Sequence, residues 1–355
     1  MMKKHIALAL MFSVLFSLAS CTEADPSAVS SSDPVASSST GEAPASDPKA
    51  LTYEYASFIN GDDAVIPLAA PDQCLYNHDV LKEAEVDLTW AYDALAYEAT
   101  HFANPNAENA NVSAVYFSQD ITPEQLQDVY ESLFFDHPEL WYLFQPDKKG
   151  CVPDSENPRV AYLTYSDPIA EIPAIDKQIK AVVDEILKGA DERKLKSDID
   201  REAYLSAYLY ENTTIDWDKY NLTLHSSLKE ALLEKNAVCV GYAMTTVYML
   251  QRQDIWAIVG HGQVSTGMAH CWAIVQKDGK YVYIDNYDMR HKADSIERSI
   301  ASYFCFDSTA IYDKDHTTID VGVLLPGCPV GEKQVVTEDM YPDEEEDNNT
   351  SSQEE

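Results

Sequence analysis

Apolar positions recur at two spacings along the chain, and the changes of spacing mark the elements. From Leu81 to Phe102, Leu81, Leu88, Ala91, Leu95 and Ala99 fall close to one face of a helix. A second helix is expected after Thr122-Pro123-Glu124, with Thr122 as N-cap and Pro123 in the first turn. Leu126, Val129, Tyr130 and Leu133 form its apolar stripe. His137-Pro138 ends it, because the residue before proline avoids helical geometry. Leu140 to Phe144 and Arg159 to Tyr165 read as strands from their aromatic and branched residues. Ile175, Ile179, Val182, Val183, Ile186 and Leu187 mark an amphipathic helix closed by Gly189, and Asp200 to Asn212 marks another. Met244 to Leu250 suits a helix packed in a core. Two strand-like runs, Ala269 to Gln276 and Tyr281 to Asn286, flank Lys277-Asp278-Gly279-Lys280, and Asp-Gly is a strong two-residue hairpin signal.

The two ends lack such patterns. Lys3 and Lys4 precede an apolar run from Ile6 to Leu18, too short to span a membrane comfortably. Leu18-Ala19-Ser20-Cys21 then resembles the bacterial lipobox, in which the cysteine is lipidated and becomes the first mature residue. A plain secretory signal, with Cys21 incidental, is the alternative. The organisation expected is therefore a lipoprotein signal peptide over 1–21 and a disordered Ser/Pro/Ala stalk over 22–50. A smaller α/β N-terminal region over 51–165 and the domain carrying the chemistry over 166–330 come next. An acidic disordered tail covers 331–355. The expected address is the extracellular face of the cell membrane, with attachment by lipid alone.

Composition narrows the partners. The 355 residues, 45% of them hydrophobic, suffice for one sizeable core or a core and a smaller companion. A formal net charge of −35 repels nucleic-acid phosphates, so nucleic acid is excluded as a partner; a monomer is expected. Of seven cysteines, Cys21 is the lipid site and Cys239 a candidate nucleophile. That leaves Cys74, Cys151, Cys271, Cys305 and Cys328, whose pairing is not legible. No Cys/His cluster has zinc-site spacing, and neither metal nor cofactor is expected.

The chemistry centres on Asn236-Ala237-Val238-Cys239-Val240-Gly241-Tyr242-Ala243. Cys239 falls at the start of a helix, where free amides and the helix dipole favour a thiolate. By itself it reads better as a small buried residue at a helix start. The hairpin adds a partner. If Lys277 pairs with Lys280, His270 stands opposite Tyr287 and Trp272 opposite Asp285. His270 and Asp285 are then diagonal neighbours on one face. Alternation sends Asp288 to the other face, and Cys271 and Ala273 away from His270. Nucleophile, base and orienter follow in the order Cys239, His270, Asp285. Tyr242 and Trp272 are candidates for bordering the substrate, though core packing suits Tyr242 equally. His261 reads as a solvated loop residue and His225 as a capping or surface residue. His316 has no evident chemical role.

Ala237-Val238-Cys239-Val240-Gly241-Tyr242-Ala243, His270-Cys271-Trp272 and Gly279-Lys280-Tyr281-Val282-Tyr283-Ile284-Asp285 together resemble the bacterial transglutaminase-like superfamily. Asp136-His137-Pro138-Glu139-Leu140-Trp141 is similar to a stretch found ahead of this domain in secreted members. The resemblance implies an α+β fold with a papain-like core, in which the helix carrying the cysteine packs on an antiparallel sheet. It implies a Cys-His-Asp triad acting on amide bonds through an acyl-thioester, as peptidase, deamidase or transglutaminase. The alternative is an inactive domain kept as a surface binding or adhesion module. The chain departs from the family's usual His-Ala-Trp-Asn, reading His270-Cys271-Trp272-Ala273 instead.

Overall fold

A computed structural model describes residues 64–68, 74–146, 150–219, 225–264, 269–277, 280–292 and 316–317. Cys21 and its leader, the 22–50 stretch, the Asp278-Gly279 turn, Cys305, Cys328 and the 331–355 tail lie outside them. Helices accompany two antiparallel sheets, and a single cluster of buried apolar side chains runs from Ile66 to Tyr287.

The helix expected over Leu81 to Phe102 is two helices, α1 (Tyr76–Glu83) and α2 (Thr89–His101). Asp87 makes the break. Its carboxylate accepts the Thr89 N–H at 2.9 Å and the Thr89 hydroxyl at 2.6 Å, which starts a fresh helix. α3 (Pro123–Asp136) begins with a full capping box: Thr122 Oγ1 accepts from the Gln125 N–H, and Gln125 Oε1 from the Thr122 N–H. At its far end Asp136 is fully buried. It accepts from the Asn77 N–H and side-chain amide, the His78 N–H and the Tyr92 hydroxyl, tying α1 and α2 to α3.

Leu140 to Phe144 is not a strand. Two successive turns, closed by Leu140 N–H to His137 O and Leu143 N–H to Leu140 O, bury Leu140, Trp141, Tyr142 and Leu143 together. Four buried residues in a row contradict the alternation a two-faced strand requires. The first sheet has the order β1-β3-β2, from β1 (Val112–Tyr116), β2 (Cys151–Pro153) and β3 (Val160–Thr164). β1 escapes a hydrophobic reading because Ser113 occupies its buried face, satisfied by the Tyr165 hydroxyl at 2.6 Å.

α4 (Ile172–Glu192) runs past Gly189, which does not close it. Gly189 instead admits Tyr204 of α5 (Asp198–Asn212), whose hydroxyl would lie 2.3 Å from an added Cβ. After α6 (Leu228–Leu232), helix α7 (Cys239–Gln251) is buried on almost every side and packs on the second sheet. That sheet has the order β6-β5-β4-β7, from β4 (Ala257–Val264), β5 (Ala269–Lys277), β6 (Lys280–Ile284) and β7 (His316–Thr317). α8 (Asn286–Lys292) follows β6 directly. Among the described residues no helix is long and apolar enough to cross a membrane.

Candidate functional site

Cys239 is the first residue of α7, preceded by extended Val238. Ser226, just before α6, fixes this start by accepting the Val238 N–H at 3.0 Å. Gly241 permits the approach, since a Cβ there would lie 2.4 Å from Ser226 Oγ. The amides of the first turn have no intrahelical acceptor, so the thiol sits at the positive end of the helix.

β5 and β6 pair in the register expected from the Asp-Gly turn, Lys277 with Lys280 and Ala273 with Ile284. β6 ends at Ile284, and Asp285 begins the turn into α8. His270 Nε2 and Asp285 Oδ2 are 2.6 Å apart, a short charge-assisted contact between buried groups. The second oxygen, Asp285 Oδ1, accepts the Asp288 N–H at 2.9 Å. Asn286 anchors the turn to α7 by donating to Thr246 Oγ1 at 2.7 Å. With Nε2 on Asp285, the His270 Nδ1 is left for Cys239, whose thiol is near enough to act on the imidazole electrostatically.

The electrostatics follow from these contacts. The Cys239 thiol is pulled well below the ordinary thiol range. The hydrogen bond from the Cys271 thiol acts first, against burial, and the hydrogen bond and positive charge of His270 add to it. Burial pushes His270 down, but the Asp285 carboxylate and then Cys239 outweigh it and hold the imidazole well above its ordinary value. A thiolate–imidazolium pair is the state these neighbours favour.

His270, Asp285 and Asp288 also bring ligand-type atoms within 4.8 Å of one another. Two ligands about 2.1 Å from a tetrahedral metal stand about 3.4 Å apart. The 2.6 Å His270–Asp285 contact is a hydrogen bond and too close for that.

The other sequence candidates fall as follows. Trp272 shares the face of His270, with its ring centroid 6.0 Å away, but is buried behind the imidazole. Gly260 and Gly262 on β4 leave the space it fills, an added Cβ at Gly260 meeting Trp272 Nε1 at 2.6 Å. Tyr242 is wholly buried, and its hydroxyl donates to Thr213 O at 2.7 Å. His261 is not a loop residue: it lies in β4, buried, with its ring stacked on Phe135 of α3 at 4.2 Å. Burial pulls it to about 4, so it is neutral at pH 7. His225 is not on the surface. It is buried between Glu230 Oε2 at 3.1 Å and Leu143 O at 3.2 Å. His316 is described by its backbone, which pairs with Val264.

Two neighbours of the site were not among the candidates. Tyr287 stands edge-on to His270 at 5.7 Å, from the first turn of α8 and not from a continued β6. Cys271, expected to face away from His270, acts on the Cys239 thiol and lowers it. β6 leaves β5 at the Ala273–Ile284 pair, so the edge of β5 at Cys271 is open on that side, and α7 packs against β5. A group at a strand's edge meets residues from both faces. The His-Cys-Trp-Ala departure was the available signal.

Residues 180–286 match the family model described as transglutaminase-like superfamily. No curated protein matches the chain. A solved structure titled "Crystal structure of a TGase" aligns at 18% identity and a TM-score of 0.29, covering 51% of this chain and 52% of its own. The chain thus spans about half the length of that structure. Cys239, His270 and Asp285 all lie inside the segment that matches the transglutaminase-like superfamily model.

Proposed function

We propose that this chain is a cysteine enzyme acting on amide bonds of proteins or peptides through an acyl-thioester, with Cys239, His270 and Asp285 as its triad in a papain-like arrangement. The observation that carries the reading is the 2.6 Å His270–Asp285 bond, with the Cys239 thiol at the head of α7 lowered by the same imidazole. The Cys239 thiolate attacks the amide carbon. The tetrahedral oxyanion faces the Cys239 N–H at the start of α7. His270 gives its proton to the departing nitrogen as the C–N bond breaks, leaving a thioester on Cys239. Water or an amine then attacks the thioester, His270 takes the incoming proton, and the thiolate is released. Water as acceptor makes the reaction hydrolysis or deamidation, and an amine makes it transamidation. Asp285 orients the ring through its bond to His270 Nε2.

The same proposal places the enzyme on the outer face of a bacterial membrane, tethered by lipid on Cys21 through the 22–50 stalk. Cys21→Ser should release the protein into the medium; retention in the membrane fraction would refute the anchor.

The reaction is tested by quenching the full chain with acid during incubation with a glutamine-containing peptide pool and a labelled primary amine. An acyl mass on the peptide bearing Cys239, absent from Cys239→Ala, is expected. No acyl mass, with label incorporation and peptide turnover equal in wild type and Cys239→Ala, would refute the enzyme and favour the binding module.

A further inference from the structure

β6 ends at Ile284, so a turn and not the sheet ladder carries the Asp285 carboxylate. The bond from the Asp288 N–H to Asp285 closes within that turn and fixes its shape, not its place. Asn286 supplies an anchor. Its Nδ2 donates to Thr246 Oγ1 at 2.7 Å, and Thr246 Oγ1 donates to Tyr242 O at 2.8 Å. Both side chains are buried. Asn286 Oδ1 is also buried and, among the described residues, has no hydrogen-bond partner, so Thr246 is the amide's whole attachment. A buried unpaired carbonyl costs stability that an apolar side chain would not, so the amide contributes through its donor. Thr246 lies seven residues after Cys239 in α7. That is just short of two turns, which puts it on the same face, about 10 Å along the axis. Further along α8, Arg290 Nε reaches Thr213 O at 3.3 Å and ties α8 to the end of α5, not to α7.

We propose that Asn286 and Thr246 are positioning residues for acyl transfer: their bond clamps the turn carrying Asp285 onto the helix carrying Cys239, and so holds the His270 ring beside the thiol. The role presupposes the Cys239, His270 and Asp285 triad and adds what keeps it assembled. Neither side chain touches the reacting atoms. The frame is a loop. It runs from Cys239 along α7 to Thr246, across to Asn286, back one residue to Asp285, and over the 2.6 Å bond to His270. Cutting it between Asn286 and Thr246 lets the Asp285 turn move relative to α7. His270 follows its carboxylate, and a hydrogen bond weakens steeply once its angle leaves a narrow range. The imidazolium then drifts from the thiol, and the thiolate loses the cation that stabilises it.

The test uses the full chain with Thr246→Val, Thr246→Ser and Asn286→Ala. Valine removes the hydroxyl at nearly equal volume, and serine keeps the hydroxyl and drops a methyl. Asn286→Ala cuts the bond from the other side and leaves Thr246 bonded to Tyr242 O. Iodoacetamide capture at Cys239 is timed from pH 6 to pH 8 and read on the tryptic peptide 236–252, which holds no other cysteine. Cys271, Tyr287 and Asp288, the titratable neighbours of the site, are the same in every variant. Wild type and Thr246→Ser should give nearly flat profiles. Thr246→Val and Asn286→Ala should be slower at pH 6 by about threefold or more and should rise with pH. Urea unfolding of the same set separates placement from stability: Thr246→Ser loses a buried methyl and unfolds more easily than wild type, yet should keep the flat profile. Flat profiles in Thr246→Val and Asn286→Ala beside a flat wild type overturn the clamp and leave the triad standing. A Thr246→Ser profile as steep as that of Thr246→Val also overturns it. A wild-type rate that itself rises about tenfold per pH unit overturns the triad, and the clamp with it. If Thr246→Val does not fold, Asn286→Ala decides by the same outcomes.

Discussion

Replacing Asp285 with Asn removes one charge from the His270 pair and keeps the side chain's size. Both partners are almost sealed, His270 at 5% and Asp285 at 3% side-chain exposure, so water does little to screen the loss. Breaking a buried pair of this kind costs about 3–5 kcal/mol, enough to leave His270 neutral at pH 7. Cys239 then loses its cationic neighbour and titrates nearer a free thiol, about 8.5. At pH 6 such a thiol is about 0.3% ionised. A more basic thiolate is intrinsically more nucleophilic, which gives back part of the loss and leaves a fall in alkylation rate of about tenfold. The sharper signature is the slope. The wild-type rate of iodoacetamide capture at Cys239, followed by mass spectrometry of the Cys239 peptide, should be nearly flat from pH 6 to pH 8. In Asp285→Asn it should rise about tenfold per pH unit over that range. Superimposable profiles for the two proteins would refute the thiolate–imidazolium pair.

Three further substitutions probe what supports the site. Glu230→Gln tests the buried bridge to His225. Burial raises Glu230, but His225 and Ser227 outweigh it and hold it at about 2. Its folded value is depressed, so this stability is present above about 4.5 and fades as pH falls toward 2. Urea unfolding at pH 7 should show a loss of about 3 kcal/mol in the variant, and by pH 3 the difference should shrink by more than half. Gly260→Ala drives a methyl to 2.6 Å from Trp272 Nε1 and 2.9 Å from Ile274 Cδ1, so it should cost about 1–3 kcal/mol in the same assay. Thr122→Ala removes one half of the capping box on α3 and should lower stability by about 1 kcal/mol while leaving the Cys239 alkylation profile unchanged.

What was legible in the sequence depended on how local its cause was. Thr122-Pro123 and His137-Pro138 bound α3 through caps and backbone sterics, which a short window contains. The Lys277–Lys280 pairing read from Asp-Gly is the register of β5 against β6, and it brings His270 and Asp285 together across 15 positions. Gly189 misled because its cause is distant: the residue that needs its missing side chain is Tyr204. His261 looked like a loop histidine between two glycines. Those glycines serve Trp272 on the next strand, and the partner that buries His261, Phe135, is more than a hundred positions earlier. Alternation turned Cys271 away from His270 and left its effect on Cys239 unread. Where β6 stops decides whether the edge of β5 is open, and no residue of β5 encodes that.

The Asp136 to Leu143 turn has a consequence for how the molecule comes apart. One end gathers α1 and α2 on the Asp136 carboxylate, and the other offers Leu143 O to His225, beside α6. Next to it, Phe135 lies flat on His261 in the second sheet. Melting the N-terminal helices would strip buried partners from groups held by α6 and β4, and loosening β4 would uncover α3. Neither half has a low-energy way to open first. Heat or denaturant should take the described residues through one cooperative transition, with the environments of Trp141 and Trp272 changing together although one lies in the turn after α3 and the other in β5.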